Sequence, residues 1–279
     1  MDEDFGKFLA QLDLEKNSGK KVLFVQGNFY LAGAVAFYQY ILHVKKLVTL
    51  IGEFHSMSFG CENQPITIAD YCLDRVRKNP KCLVLLEFNR NADMRYIYSD
   101  VIQQIYHVLK SDGKENQIFP YDFRSWFLST KLQGELYSNR PITNYQQYID
   151  PYYTTKLNGD ASPFELNEAN YDNFTVNFMK QYFMQINSKF HDIAMLFTKN
   201  RHHKELRGLL RHAWALVCDY FILREILMKN SPFDDFIIIS GEFHRKNLSH
   251  QLLENNAYSI GEQVGQEGKC INLFQTYYF

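Results

Sequence analysis

The sequence predicts an α/β protein with a mainly parallel central sheet flanked by helices, and three observations carry that prediction. Short apolar runs at Leu47–Ile51, Cys82–Leu86 and Phe236–Ile239, the first and last of them rich in β-branched residues, read as strands buried on both faces. Segments with helical spacing of apolar residues alternate with them, which is the rhythm of βαβ units. Two of the runs then lead into the same tetrapeptide, Gly-Glu-Phe-His, at Gly52–His55 and Gly241–His244.

Taken in order, residues 5–14 read as a short amphipathic helix, Lys21–Phe24 as a strand and residues 31–45 as a helix. Leu47–Ile51 is a strand, and Ile66–Lys78 a helix that Asn79-Pro80 stops. Cys82–Leu86 is a second strand ending at Glu87, and Ile102–Leu109 a helix breaking at Ser111-Asp112-Gly113. Gln117–Phe119 reads as a third strand, running into Tyr121-Asp122-Phe123-Arg124. The rhythm then changes. Residues 125–165 carry Pro141, Pro151 and Pro163 among polar and Tyr residues and read as irregular or partly helical. Phe174, Phe178, Tyr182, Ile186 and Phe190 recur every four residues along a helix face, and Leu206–Tyr220 marks another long helix. Phe236–Ile239 is a strand, Asn247–Leu253 a helix and Cys270–Phe274 a last strand. The expected organisation is an α/β core in two parts, 1–124 and 201–279, with a helical insertion or lid at 125–200 that walls the site.

Composition narrows the function classes. The 279 residues are 46% hydrophobic, enough for one large core. The formal charge of -1, with both signs dispersed, offers no basic stripe for nucleic acid. The start Met1-Asp2-Glu3-Asp4 lacks the basic opening of a secretory signal. The longest apolar run, Leu31–Leu42, falls short of the roughly 20 residues of a membrane span. Cys61, Cys72, Cys82, Cys218 and Cys270 are odd in number and widely spaced, as free thiols in a reducing compartment are. A cytoplasmic protein without a membrane span is expected. There is no Gly-x-Ser-x-Gly elbow, no glycine-rich dinucleotide fingerprint and no P-loop. His212, Trp214 and Cys218 share a helix as core residues, and His202-His203 reads as a solvated helix start.

The chemistry gathers at strand ends. In open parallel sheets ligands bind beyond the carboxyl ends of the strands, where a glycine allows a sharp turn and close approach. Glu53, His55, Glu242 and His244 would then lie on two loops at one edge, with Glu87, Asp122 and Arg124 facing the same crevice. Such a set can hold a divalent metal (Mn, Co or Zn) through His55, Glu87, His244 and Glu53, or it can work without metal as an acid–base pair. Either way it activates a water against a carbonyl.

Paired Gly-x-x-His motifs ending the first and last core strands, with Glu87 ending the strand that follows the first motif, resemble the TraB/Tiki group. More distantly they resemble erythromycin esterase and ChaN-like proteins; Ile51–His55 is similar to the start of the ChaN-like branch. The resemblance covers roughly residues 46–124 and 234–250 and implies that His55, His244 and Glu87 form the active or ligand site. It leaves Arg90, Arg124 and Arg245 as matches for the group's arginine. It implies metal-dependent proteolysis, ester hydrolysis or haem binding, according to branch.

The leading expectation is a hydrolase acting on an ester or amide of a small-molecule or peptide substrate, metal-assisted or not. The alternatives are haem binding, and a non-catalytic binding or structural protein keeping the fold. The bias to Tyr, Phe, Asn and Ile suggests AT-rich coding, as in large DNA viruses, so that a virion component falls within the second alternative.

Overall fold

In the computed structural model the described residues are 23–32, 34–42, 46–53, 66–88, 99–138, 142, 144–157, 164–198, 203–255, 257–264 and 271–278. Its strands are β1 (Leu23–Ala32), β2 (Ala34–Leu42), β3 (Lys46–Glu53), β4 (Ile66–Thr67), β5 (Cys82–Leu86), β6 (Ile118–Pro120), β7 (Asp235–Ser240), β8 (Tyr258–Val264) and β9 (Ile271–Tyr278). A six-stranded sheet runs in the order β6-β5-β7-β3-β2-β8. From β6 to β3 every pairing is parallel, whereas β2 and β8 join antiparallel. A separate three-stranded sheet holds β4, β1 and β9. The expected α/β class with a mainly parallel central sheet is what the chain adopts.

Side-chain alternation along the strands sorts the apolar residues onto two faces. Ile51, Val84, Leu86, Ile237 and Ile239 meet helices α1 (Ile68–Lys78) and α2 (Asp100–Ser111). Val48, Leu50, Leu83, Leu85, Phe236 and Ile238 meet the other face's helices. Those are α3 (Arg124–Phe127), α4 (Thr130–Tyr137), α5 (Gln146–Leu157), α6 (Asn173–Thr198), α7 (His203–Leu227) and α8 (Glu242–Glu254). Period 2 in the strands therefore does more than bury apolar surface: it decides on which side a residue at a strand end emerges.

Local signals place the helices near the site. A reciprocal capping box between Thr67 and Asp70 starts α1, whose C-cap is Asn79. Ser99 caps α2 by accepting the Ile102 N–H, and beyond its end Gly113, at φ 72°, takes the left-handed turn. At the amino ends of the strands Arg75 of α1 donates to Asp235 of β7 through Nε at 3.1 Å and to the Tyr71 hydroxyl at 2.8 Å. Both ions of this pair are buried, so that edge is locked by structure. No helix of the described residues is long and apolar enough to cross a membrane.

The segment 31–45 corrects a sequence expectation: residues 34–42 form a strand, not a helix. Both faces of β2 are apolar, so no alternation betrayed it. Ala36, Tyr38, Tyr40 and Leu42 pack on one side and Phe37 on the other. Gln39, which breaks the apolar run, is fully buried opposite Thr49 and donates to its hydroxyl at 3.1 Å. Among the described residues of 125–165 lie three helices, with Pro151 inside α5, where irregular or partly helical chain was expected. β8 was not anticipated, and the expected last strand lies in the smaller sheet as β9. The expected helix at 5–14 lies outside the described residues, and the expected first strand survives in part as the start of β1.

Candidate acid–histidine site

The site lies where consecutive connections leave the sheet on opposite faces. Helix α2 follows β5 on one side and α8 follows the adjacent β7 on the other, the arrangement beside which open parallel sheets bind ligands. Glu87 shares the parity of Leu83 and Leu85 and so emerges on the α7/α8 side. There α8 begins with Gly241 as its N-cap, which puts His244 in the first turn.

His244 is held from both ring nitrogens. Its Nδ1 lies 2.6 Å from Oδ1 of Asp219, a fully buried residue of α7, and its Nε2 lies 3.5 Å from Oε1 of Glu87. One helical turn on, the Asn247 amide donates to Asp219 Oδ2 at 2.5 Å and to the Tyr182 hydroxyl at 2.8 Å. On the far side Arg124 donates to Asp122 through Nε at 2.6 Å and Nη2 at 2.9 Å, and from Nη2 to Glu87 at 3.2 Å. Carboxylates and cations thus alternate in the sequence Asp122, Arg124, Glu87, His244, Asp219. Tyr121 flanks them, its ring edge-on to His244 at 6.0 Å and its hydroxyl donating to Ile239 O at 2.8 Å.

Electrostatics follow from this order. Burial pushes the Glu87 carboxyl up, but His244, Arg124 and the Gly241 N–H outweigh it and bring its pKa down to about 2. Burial alone would depress His244, yet Asp219 and Glu87 outweigh that and raise it to about 10. Burial raises Asp219 above the usual carboxylate range, with His244 and Asn247 offsetting it only in part. The shifts of His244 and Glu87 favour the proton on His244, as an imidazolium facing Glu87 and Asp219.

The sequence candidates fare unequally. Glu87, Asp122, Arg124 and His244 come together, and Asp122–Arg124 is no surface pair, for Arg124 is 8% exposed. Glu53 reaches the same edge, close enough for its charge to act on the Tyr121 phenol. It has the parity of Ile51, however, and accepts from Ser99 Oγ at 3.1 Å on the α1/α2 side. Glu242 is the first residue of α8, and His55 and Arg90 lie outside the described residues. The expectation of two loops is corrected: Gly52 and Glu53 finish strand β3, whereas Glu242, Phe243 and His244 begin a helix. The described halves of the two copies differ, because Gly52 and Glu53 continue a ladder with β2 whereas Gly241 and Glu242 start a crossover helix. Gly241 is not a strained turn either, having φ −65° and open space where a Cβ would stand.

Asp219 and Asn247 escaped the sequence reading. The signal for Asp219 was a lone acid in the otherwise apolar run Ala213–Leu223, since a buried charge needs a partner. Ser240, the residue before the second motif, is fully buried, and its hydroxyl makes no hydrogen bond among the described residues. The register Leu86↔Ile239 and Gly52↔Ser240 seats it between Glu87 and a residue without a side chain.

A divalent metal would find two suitable donors here, Glu87 and His244 Nε2, with Asp219 orienting the ring from behind as carboxylates do at metal sites. Among the described residues no three of His, Cys, Asp and Glu are arranged to hold one, so no step below is routed through a metal.

Fold and site together define an α/β protein with a buried acid–histidine cluster at the carboxyl edge of its sheet. No family model matches the chain, no curated protein matches its sequence and no solved structure matches its fold.

Proposed function

We propose that this cluster is the acid–base centre of a hydrolase acting on an ester or amide. The observation that supports it is the unequal hold on His244: Nδ1 fixed at 2.6 Å by Asp219, and Nε2 only loosely met at 3.5 Å by Glu87. A carboxylate behind Nδ1 orients the imidazole and leaves Nε2 to act. A water ordered by Glu87 bonds to the acyl carbon, and the Nε2 proton passes to the leaving oxygen or nitrogen as the old acyl bond breaks. The neutral ring then takes up the proton that the water releases. Arg124, seated on Asp122, keeps Glu87 ionised throughout. The TraB/Tiki-like reading of the motifs agrees with this chemistry, and Tyr182, from the segment 125–200, accepts from Asn247 beside the cluster.

A screen of p-nitrophenyl esters and peptide amides tests the proposal. Turnover by wild type, lost in Glu87→Gln and in His244→Gln, supports it. A rate equal to buffer across the screen, or one that survives both substitutions, removes it. Elemental analysis of protein purified without chelator decides whether a divalent ion joins Glu87 and His244. A second reading, a non-catalytic protein keeping the fold, draws on the mutual neutralisation of the five side chains, and the same screen separates the two.

A further inference from the structure

Away from the acid–histidine cluster, a cleft of about 380 Å³ opens between α6 and α7, lined by Lys189, Asp192, Ile193, Met195, Leu196, Leu209 and His212. Its size falls in the range of small-molecule sites, and its walls are mainly apolar with few polar groups, as such sites are. Two of the large apolar side chains that the chain leaves exposed stand here, Met195 at 46% in the lining and Phe243 at 40% beside it. Two ring contacts link the lining of the cleft to the cluster. The His212 ring meets the Phe243 ring edge-on at 4.8 Å, and Phe243 in turn meets His244 at 5.8 Å. His212 and Asp219 lie seven residues apart on α7, and so on one helix face.

We propose that this cleft binds the apolar arm of a small uncharged ester or amide, an acyl chain or aryl group, whose carbonyl then lies toward His244. The binding half stands on the cleft itself; the chemical half rests on the hydrolase reading. Charge balance argues for the neutral occupant. Lys189 and Asp192 offset each other, and burial together with the Lys189 charge lowers the pKa of His212 from its ordinary 6.5, leaving it neutral at pH 7. A charged head would have to leave water for a wall that offers no net compensation.

Binding of N-phenyl-1-naphthylamine, an uncharged aromatic probe, followed by its fluorescence, tests the site without any turnover. Wild type should saturate at one molecule per chain. Met195→Glu should weaken binding at least tenfold. Met184→Glu, on the same helix at 59% exposure but outside the cleft, should change it less than twofold. Both positions are exposed, so neither variant threatens the fold. Unsaturable binding in wild type, or equal effects of the two variants, overturns the proposal. On p-nitrophenyl esters, kcat/KM should climb from acetate to octanoate in wild type and flatten in Met195→Glu; a climb that Met195→Glu leaves intact also overturns it. Absence of turnover with saturable, Met195-dependent probe binding keeps the cleft and discards the hydrolase reading.

Discussion

Asp219 and His244 form a close buried pair, Oδ1 to Nδ1 at 2.6 Å, with Asp219 fully buried and His244 5% exposed. Removing one partner strands the other charge. Asp219→Ala should cost about 3–5 kcal/mol, the scale for breaking a buried ion pair. His244→Ala should cost a similar amount. Both exceed the roughly 1 kcal/mol usual for a residue outside the core. Urea denaturation checks it, and a loss below about 1 kcal/mol in both variants would mean the pair is not formed.

Stability should fall on both sides of neutrality. The pKa of His244 rises from 6.5 to about 10 on folding, so its contribution is full below pH 6.5 and disappears as pH climbs through 10. That of Glu87 falls from 4.5 to about 2, so its contribution is full above pH 4.5 and disappears as pH drops toward 2. The groups facing His244 are Asp219 and Glu87, with Arg124 behind Glu87 and the Tyr121 phenol alongside. Melting temperature against pH in wild type and in His244→Gln reads this out. The alkaline decline between pH 6.5 and 10 should be shallower in the variant, and identical slopes would contradict the assignment.

The Arg75–Asp235 pair at the opposite edge serves as a control. Asp235→Asn should cost about 3–5 kcal/mol for the same physical reason, yet the folded variant should keep the rate of any hydrolysis within about twofold. A selective loss of turnover in soluble, folded Asp235→Asn would place the functional edge wrongly.

Ser240 gives a subtler test. Its buried hydroxyl has no hydrogen-bond partner among the described residues, so Ser240→Ala should hold or raise stability within about 1 kcal/mol. A loss above about 2 kcal/mol would instead mean that the hydroxyl bonds to an ordered water in the cluster.

Much of this was legible in the sequence, for reasons that name its limits. Cys82–Leu86 is bounded by Lys81 and Glu87 and emerges with the expected limits, because a doubly buried parallel strand has a sharp polar edge. Glu87, Asp122, Arg124 and His244 were legible as polar residues at or just beyond strand ends. β2 was not, since a strand apolar on both faces carries no period to tell it from a helix. Asp219 was not, since its role depends on how α7 and α8 pack, and spacing within one helix does not encode that. Glu53 was misplaced because the shared motif suggested shared geometry, whereas strand parity sends it to the other face.

The protonation of His244 is the point on which site and chemistry both turn. Long-range ¹H–¹⁵N correlation of the imidazole, followed from pH 5 to 11 in the intact chain, measures it directly. The account predicts both ring nitrogens protonated at pH 7 and a pKa near 10. A titration near 6.5, with a neutral ring at pH 7.5, would contradict it.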